Sequence, residues 1–534
     1  MPACSHRRIG VRAILVLLLV TILLFQPIVS AAEPSGLQPA YEQEIDQRFG
    51  DELSRYSIEA RFRPDDNRIT GEMSVEFVNF TGEALDEIAF RLFPNGEYYH
   101  EGYLAITSAA VDGVTVEPAY EPGKTAMRLP LAQPLLPGES ATIDLGFRTV
   151  IPTDSDGTFG VFSYQSATGI WTLADWYPIL AGWDPDLGWR IEAPTPAGDP
   201  TYADAAYYNL TLTTPAGMQV ISSGSATVEA DLHGQQAVSI ATGPARDLTM
   251  VIAPAYVPLT TTVNGSTISV WGNPDPASQE AAQWIADFSS GVLASYERRF
   301  GPYLYDELDL VPTPIQQAVL GVSWTGLIML SSALFSDTAA LIDQNPESAA
   351  FTIAHEMGHE WWGAMVGANS NDHPFMVEGL TNALTLDAIV DTLGPDAAVR
   401  LLHAQIADVY SNALANHGDG VVDTPVGMEQ PGGPSRGALA YGKGALGFLA
   451  IRVAMGDDAF FAAIREYADT YLFANAEPDD LLAIFEQHAP AGVDVASIWE
   501  TWFEQAVTTQ ADIDALVAAV TQRLYDEAAL AFTS

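Results

Sequence analysis

The stretch His355-Glu356-Met357-Gly358-His359 constrains this chain more tightly than any other segment. On a helix, residues four apart share a face, so both imidazoles reach one point in space. Glu356 projects beside them, where a carboxylate takes a proton from water on a metal ion. After eighteen further residues comes Glu378, near the start of an apolar-periodic run from Pro374 to Leu393. Asp372 and Pro374 supply the N-cap and first-turn proline of that second helix. Two neutral imidazoles, a carboxylate and one open position describe a single Zn²⁺ on His355, His359 and Glu378. Such a donor set belongs to reactive zinc sites rather than closed structural ones. A lone Glu is ordinarily a surface carboxylate; its spacing from the histidine pair sets Glu378 apart.

The 534 residues exceed what one hydrophobic core organises, so several domains are expected. Residues 1–31 read as a signal peptide or N-terminal anchor. Arg7, Arg8 and Arg12 precede the apolar run Ala13 to Phe25, and the small residues Val29-Ser30-Ala31 follow. This predicts export to an extracellular, cell-surface or periplasmic location, with a membrane tether if the segment stays attached. The single cysteine, Cys4, lies inside the leader, so disulfides and cysteine chemistry are excluded from the rest. The 68 acidic side chains outnumber 22 basic ones, for a formal charge of −46, which repels phosphate backbones and excludes nucleic acid as a partner.

Residues 45–263 form a β-rich region. Alternating segments such as Tyr56 to Phe62, Glu72 to Phe77, Ala141 to Phe147 and Tyr208 to Thr213 are separated by turn formers. The pattern changes after Asn273-Pro274-Asp275-Pro276. Residues 270–455 then read as an α/β domain with a buried strand, Leu308 to Pro312. Its helices are expected at 278–300, 347–367, 374–393, 396–413 and 438–455. A Gly/Pro-rich loop spans 425–436, and residues 456–534 make a short helical tail.

The motif and its flanks resemble the aminopeptidase N-like gluzincins, the membrane alanyl aminopeptidase family. Glu360-Trp361-Trp362-Gly363, Val377-Glu378-Gly379-Leu380 and Tyr441-Gly442-Lys443-Gly444 carry the resemblance. Asp175-Trp176-Tyr177-Pro178 and the stretch from Tyr296 to Tyr303 add to it, so it extends over about residues 50 to 507. It implies a multi-domain α+β protein: a β-rich N-terminal saddle or sandwich, a thermolysin-like α/β catalytic domain and the short helical tail. It implies zinc-dependent hydrolysis of a peptide substrate, with Glu356 as general base and Tyr441 stabilising the tetrahedral intermediate. Only 79 residues follow Met455, so the large helical C-terminal domain of longer relatives is not expected and the cleft should be more open.

One departure matters. Where the family carries a glutamate that binds the substrate's free amine, this chain reads Leu320-Gly321-Val322-Ser323-Trp324-Thr325-Gly326. Ser323 stands at the glutamate's place, and Ser323 and Gly321 are the candidate substrate-binding residues. Two rival readings follow. One is an endopeptidase, or a more specialised peptidase, that needs no free amine. The other is a non-catalytic zinc-binding exported protein, against which the retention of Glu356 and Tyr441 argues. His373 is a further candidate near the substrate, and Asn382 a candidate for orienting a metal ligand.

Overall fold

The structure is a computed structural model that describes residues 35–194, 202–230, 233–315, 319–335, 346–428 and 430–531. The basic flank, apolar run and Cys4 of the leader lie outside the described residues. In the first half, strict alternation makes one-sided strands: along Ser54–Arg63, Tyr56, Ile58, Ala60 and Phe62 point inward and their neighbours face solvent. These strands build an eight-stranded sheet. Ser54–Arg63 lies near its centre, parallel to Ala206–Pro215 and antiparallel to Arg68–Val78. Smaller sheets close over its apolar face, and the shared core includes Tyr56 stacked on Tyr208 at 4.6 Å. This is the expected β-rich N-terminal layer.

The second half is organised by a five-stranded sheet. Its order is Val257–Val263, Ser266–Gly272, Glu307–Thr313, Leu327–Ser331 and, at the edge, Gly321–Trp324. The helix Pro276–Phe300 makes the parallel crossover between Ser266–Gly272 and Glu307–Thr313. Its N-cap is Asp275, which accepts the Ser278 N–H at 3.0 Å. The strand Val257–Val263 therefore belongs to this second sheet, although its alternation is continuous with that of the β-rich region. Residues 34–534 form one compact unit.

Two helices differ from expectation in ways that shape the site. The first ends at Gly358 rather than 367, because the chain turns sharply at Gly363, whose φ is 142°. The turn drives Trp361 and Trp362 into the core, each 2 % exposed. The run from Pro374 splits into a π-helical turn, Phe375–Gly379, and the α-helix Leu380–Leu393. Likewise Gly437–Gly444 is π-helical before the α-helix Ala445–Met455. π-turns are uncommon and cluster at functional sites; these two carry Glu378 and Tyr441. The tail helices pack on this frame, and Glu527 of Gln510–Ala531 pairs with buried Arg452 at 3.3 Å.

The central strand Glu307–Thr313 buries Asp309, whose carboxylate accepts the Trp271 Nε1–H at 2.6 Å. Burial pushes Asp309 up to about 8, against that hydrogen bond. An acid raised in the folded state stabilises most below its unfolded pKa of about 4, and the contribution is lost as pH rises towards 8. Asp309→Asn should therefore flatten the decline in stability between pH 5 and pH 8, by up to about 1.4 kcal/mol per pH unit. Denaturant midpoints at the two pH values provide the measurement. An unchanged slope in the variant would contradict this assignment.

Candidate metal centre and its cavity

Three ligand atoms converge where the helix Pro346–Gly358 meets the turn Phe375–Gly379. His355 Nε2 and His359 Nε2 are 3.0 Å apart, and Glu378 Oε2 lies 3.2 Å and 3.4 Å from them. Ligands about 2.0–2.1 Å from a tetrahedral ion are about 3.3 Å from one another, so the triangle fits one zinc. This is the metal-capable group among the described residues. Its buried Glu378 Oε2 receives no hydrogen bond from a described residue. The donor chemistry also asks for a cation. Burial would raise Glu378, but the charge of His359 outweighs it and holds the carboxyl well below the usual range. Burial would lower His359, yet Glu378 lifts it to about 10, while burial keeps His355 below its ordinary value.

Local packing explains the geometry. His359 Nδ1 lies 3.1 Å from the Trp362 carbonyl, so Nδ1–H donates there and Nε2 keeps its lone pair for metal. A Cβ on Gly358 would sit 2.8 Å from Thr381 Cγ2, so the glycine lets the two ligand-bearing segments close. A Cβ on Gly379 would sit 2.9 Å from the Ala440 carbonyl oxygen, which explains why Gly follows Glu378: the two π-turns pack backbone to backbone. Asn382 Nδ2 donates to the Tyr441 carbonyl at 3.0 Å, tying the helix Leu380–Leu393 to the turn that carries Tyr441. The Tyr441 ring centroid is 5.9 Å from that of His355. Lys443 is fully buried and donates to the Gly420 and Gln505 carbonyls, each at 2.8 Å, and pairs with Asp419. It anchors the turn that presents Tyr441.

Glu356 is 7 % exposed and lies against the edge strand Gly321–Trp324. A Cβ on Gly321 would come within 2.4 Å of Glu356 Cγ, so only glycine leaves that side chain its place. Ser323 lines the same cavity, while Val322 and Trp324 also pack on an apolar cluster. The end of the strand is clamped twice. Buried Glu360 accepts the Gly326 N–H at 3.0 Å and the Tyr303 hydroxyl at 3.1 Å, and burial pushes it up to about 8. Asp247, from the first half, accepts the Thr325 N–H at 3.2 Å.

A cavity of about 550 Å³ joins these groups, with walls from both halves of the chain. It contains the sequence-predicted His355, Glu356, His359, Glu378, Tyr441, Gly321, Ser323 and Asn382. It also contains Asp175 and Arg436, to which the sequence reading gave no role. Asp175 is 3 % exposed and has φ of 53°, a conformation that non-glycine residues seldom adopt and that recurs at functional sites. His373 is not among the lining residues; its Nδ1 lies 2.5 Å from Asp423, which makes it a loop tie.

His359→Ala should leave a folded protein with little bound zinc, whereas Glu356→Gln should keep one equivalent. Elemental analysis with a circular dichroism check decides this, and a folded His359→Ala protein with full zinc would overturn the ligand assignment.

Known proteins agree with this geometry. Residues 284–502 match the model of the Peptidase family M1 domain. Among curated relatives, Aminopeptidase M1-B of Oryza sativa subsp. japonica is 25 % identical over 247 residues, covering 46 % of this chain and 27 % of that protein. Aminopeptidase Q of Homo sapiens is 22 % identical over 408 residues, covering 71 % of this chain and 39 % of that protein. The chain thus spans well under half the length of these relatives. The M1 zinc metallopeptidase of Deinococcus radiodurans superposes with a TM-score of 0.59 at 18 % identity, covering 86 % of this chain and 94 % of that one. A mutant of that enzyme bound to a Tyr-Ser-Ala substrate gives a TM-score of 0.58, again at 18 % identity, with 86 % and 95 % covered. The likeness at this identity establishes the fold, the thermolysin-like second half included. The match covers residues 284–502, under half of the chain, and the motifs around His355, Glu378 and Tyr441 are similar to those of the aminopeptidase N-like gluzincins.

Proposed function

We propose that the protein hydrolyses peptide bonds with zinc, removing residues from the free N-terminus of a peptide. The observation that carries this reading is the His355–His359–Glu378 triangle in the same cavity as Glu356 and Tyr441. Zinc, when bound, supplies a Lewis acid that lowers the pKa of water and polarises a carbonyl. Glu356, held by its contact with Gly321, takes the proton of the attacking water and passes it to the leaving amine. The Tyr441 hydroxyl donates to the oxyanion that develops at the scissile carbonyl, where one such donor lowers the barrier by about 3 kcal/mol. Tripeptide binding by the Deinococcus enzyme supports a short peptide as the substrate here. The leader supports export of the mature chain, which N-terminal sequencing of the exported form would test.

The amine needs a partner other than residue 323, since a serine hydroxyl offers only a neutral hydrogen bond. Four carboxylates line the cavity. Among them Asp175, buried in the cavity wall in a conformation that non-glycine residues seldom adopt, is the acid proposed to meet the ammonium. Ser323 itself favours a second reading, in which N-blocked peptides are also cleaved.

Two outcomes test these roles. Gly321→Ala should displace Glu356 and lower kcat about tenfold or more with zinc content unchanged, as expected of a misplaced proton acceptor. A fully active variant would show that Glu356 does not depend on this contact. Comparing kcat/KM for a tripeptide and its N-acetylated twin, Asp175→Asn should reduce the preference for the free amine by about tenfold or more. Equal hydrolysis of both twins by the wild type would establish the second reading instead.

A further inference from the structure

Charged side chains reach the cavity from both halves of the chain. Asp175 and Asp247 come from the β-rich half, whereas Arg436 comes from the helical half. Arg436 immediately precedes the π-turn Gly437–Gly444 and already has helical φ and ψ, −49° and −46°. The i to i+5 hydrogen bonding of a π-turn stacks residues five apart. Arg436 therefore stands one turn from Tyr441, and both line the cavity. The other cavity arginine is spent on the fold. Arg246 donates to the carbonyls of Ala364, Ala203 and Ala474 and to the Asn475 side chain. Arg436 differs: among the described residues it makes no hydrogen bond and no ion pair, in a chain with 68 acids for 22 bases.

We propose that Arg436 is a specificity residue that receives a carboxylate of the substrate on the leaving-group side, so that short peptides with a free C-terminus are preferred. The inference rests on the peptidase reading above. A guanidinium offers a planar fork of donors that matches a carboxylate bidentately, and it cannot lose its charge. A short peptide is a zwitterion, positive at one end and negative at the other. A cavity lined by carboxylates and by one guanidinium that has no partner among the described residues complements both ends. Its volume of about 550 Å³ is that of a small-ligand pocket. The carboxylate can be the C-terminus itself or an acidic side chain just beyond the scissile bond; the chemistry of recognition is the same.

The test is calorimetric binding to the zinc-loaded Glu356→Gln protein, with and without Arg436→Gln. Three ligands separate the possibilities: a tripeptide free acid, its C-terminal amide, and a tripeptide amide with glutamate in second position. With Arg436 present, the free acid should bind about tenfold or more tighter than its amide; with R436Q the two should bind alike, and Arg436→Lys should restore part of the difference. A preference of the glutamyl amide over the plain amide that R436Q abolishes would assign the same contact to a side-chain carboxylate. Acid-to-amide and glutamyl-to-plain ratios that are both unaltered by R436Q would overturn the proposal. Failure of the wild type to hydrolyse any of these peptides would instead overturn the peptidase reading, and the binding ratios would still decide the role of Arg436.

Discussion

Three electron-pair donors aimed at one buried point repel one another unless a cation sits among them. His355, His359 and Glu378 are held in that arrangement, with edges of 3.0 to 3.4 Å. A buried carboxylate needs a charged partner, which His359 supplies here and which a cation among the three donors would supply once the imidazoles are neutral. Each constraint can be named. Gly358 lets the two ligand segments approach, Gly379 lets the two π-turns touch, and the Trp362 carbonyl fixes the His359 tautomer. The sheet, the helices and even the sharp turn at Gly363 are arranged around that point.

Around it the two halves of the chain divide the work. The helical half carries the candidate metal ligands, Glu356 and Tyr441. The β-rich half closes the cavity with Asp175 and steadies the edge strand through Asp247 and Thr325. Arg246 bridges the halves, reaching from the end of the strand Gln235–Ala245 to carbonyls at Ala364 and Ala474. A shift of one half against the other would therefore move the edge strand relative to Glu356. Positioning errors of about 1 Å cost such chemistry about a hundredfold in rate.

The metal site was legible in the sequence because its signal is local. Spacing of four on a helix puts two imidazoles together whatever the rest of the fold does, and Glu378 with its glycine completes the pattern. Less was legible where structure depends on distant pairing. The alternation of Val257–Val263 looks like that of the preceding strands; only its place beside Ser266–Gly272, and of that strand beside Glu307–Thr313, puts it in the second sheet. The first ligand helix looked longer because Trp361, Trp362, Met365 and Val366 continue an apolar period. They are indeed buried, but on a turning backbone. A π-turn of five residues cannot be told from an α-turn by periodicity. Asp175 and Arg436 are ordinary charges in a linear reading, 261 residues apart in number, and only the folded cavity gives them a common purpose.

The central claim is that one zinc ion on this donor set makes the protein a peptidase. The most direct measurement is to strip the metal with a chelator and titrate zinc back while following hydrolysis of a free tripeptide. The account predicts no turnover in the stripped protein and a linear recovery that breaks at one equivalent of zinc. Hydrolysis that survives complete removal of the metal, or a break at any other stoichiometry, would contradict it.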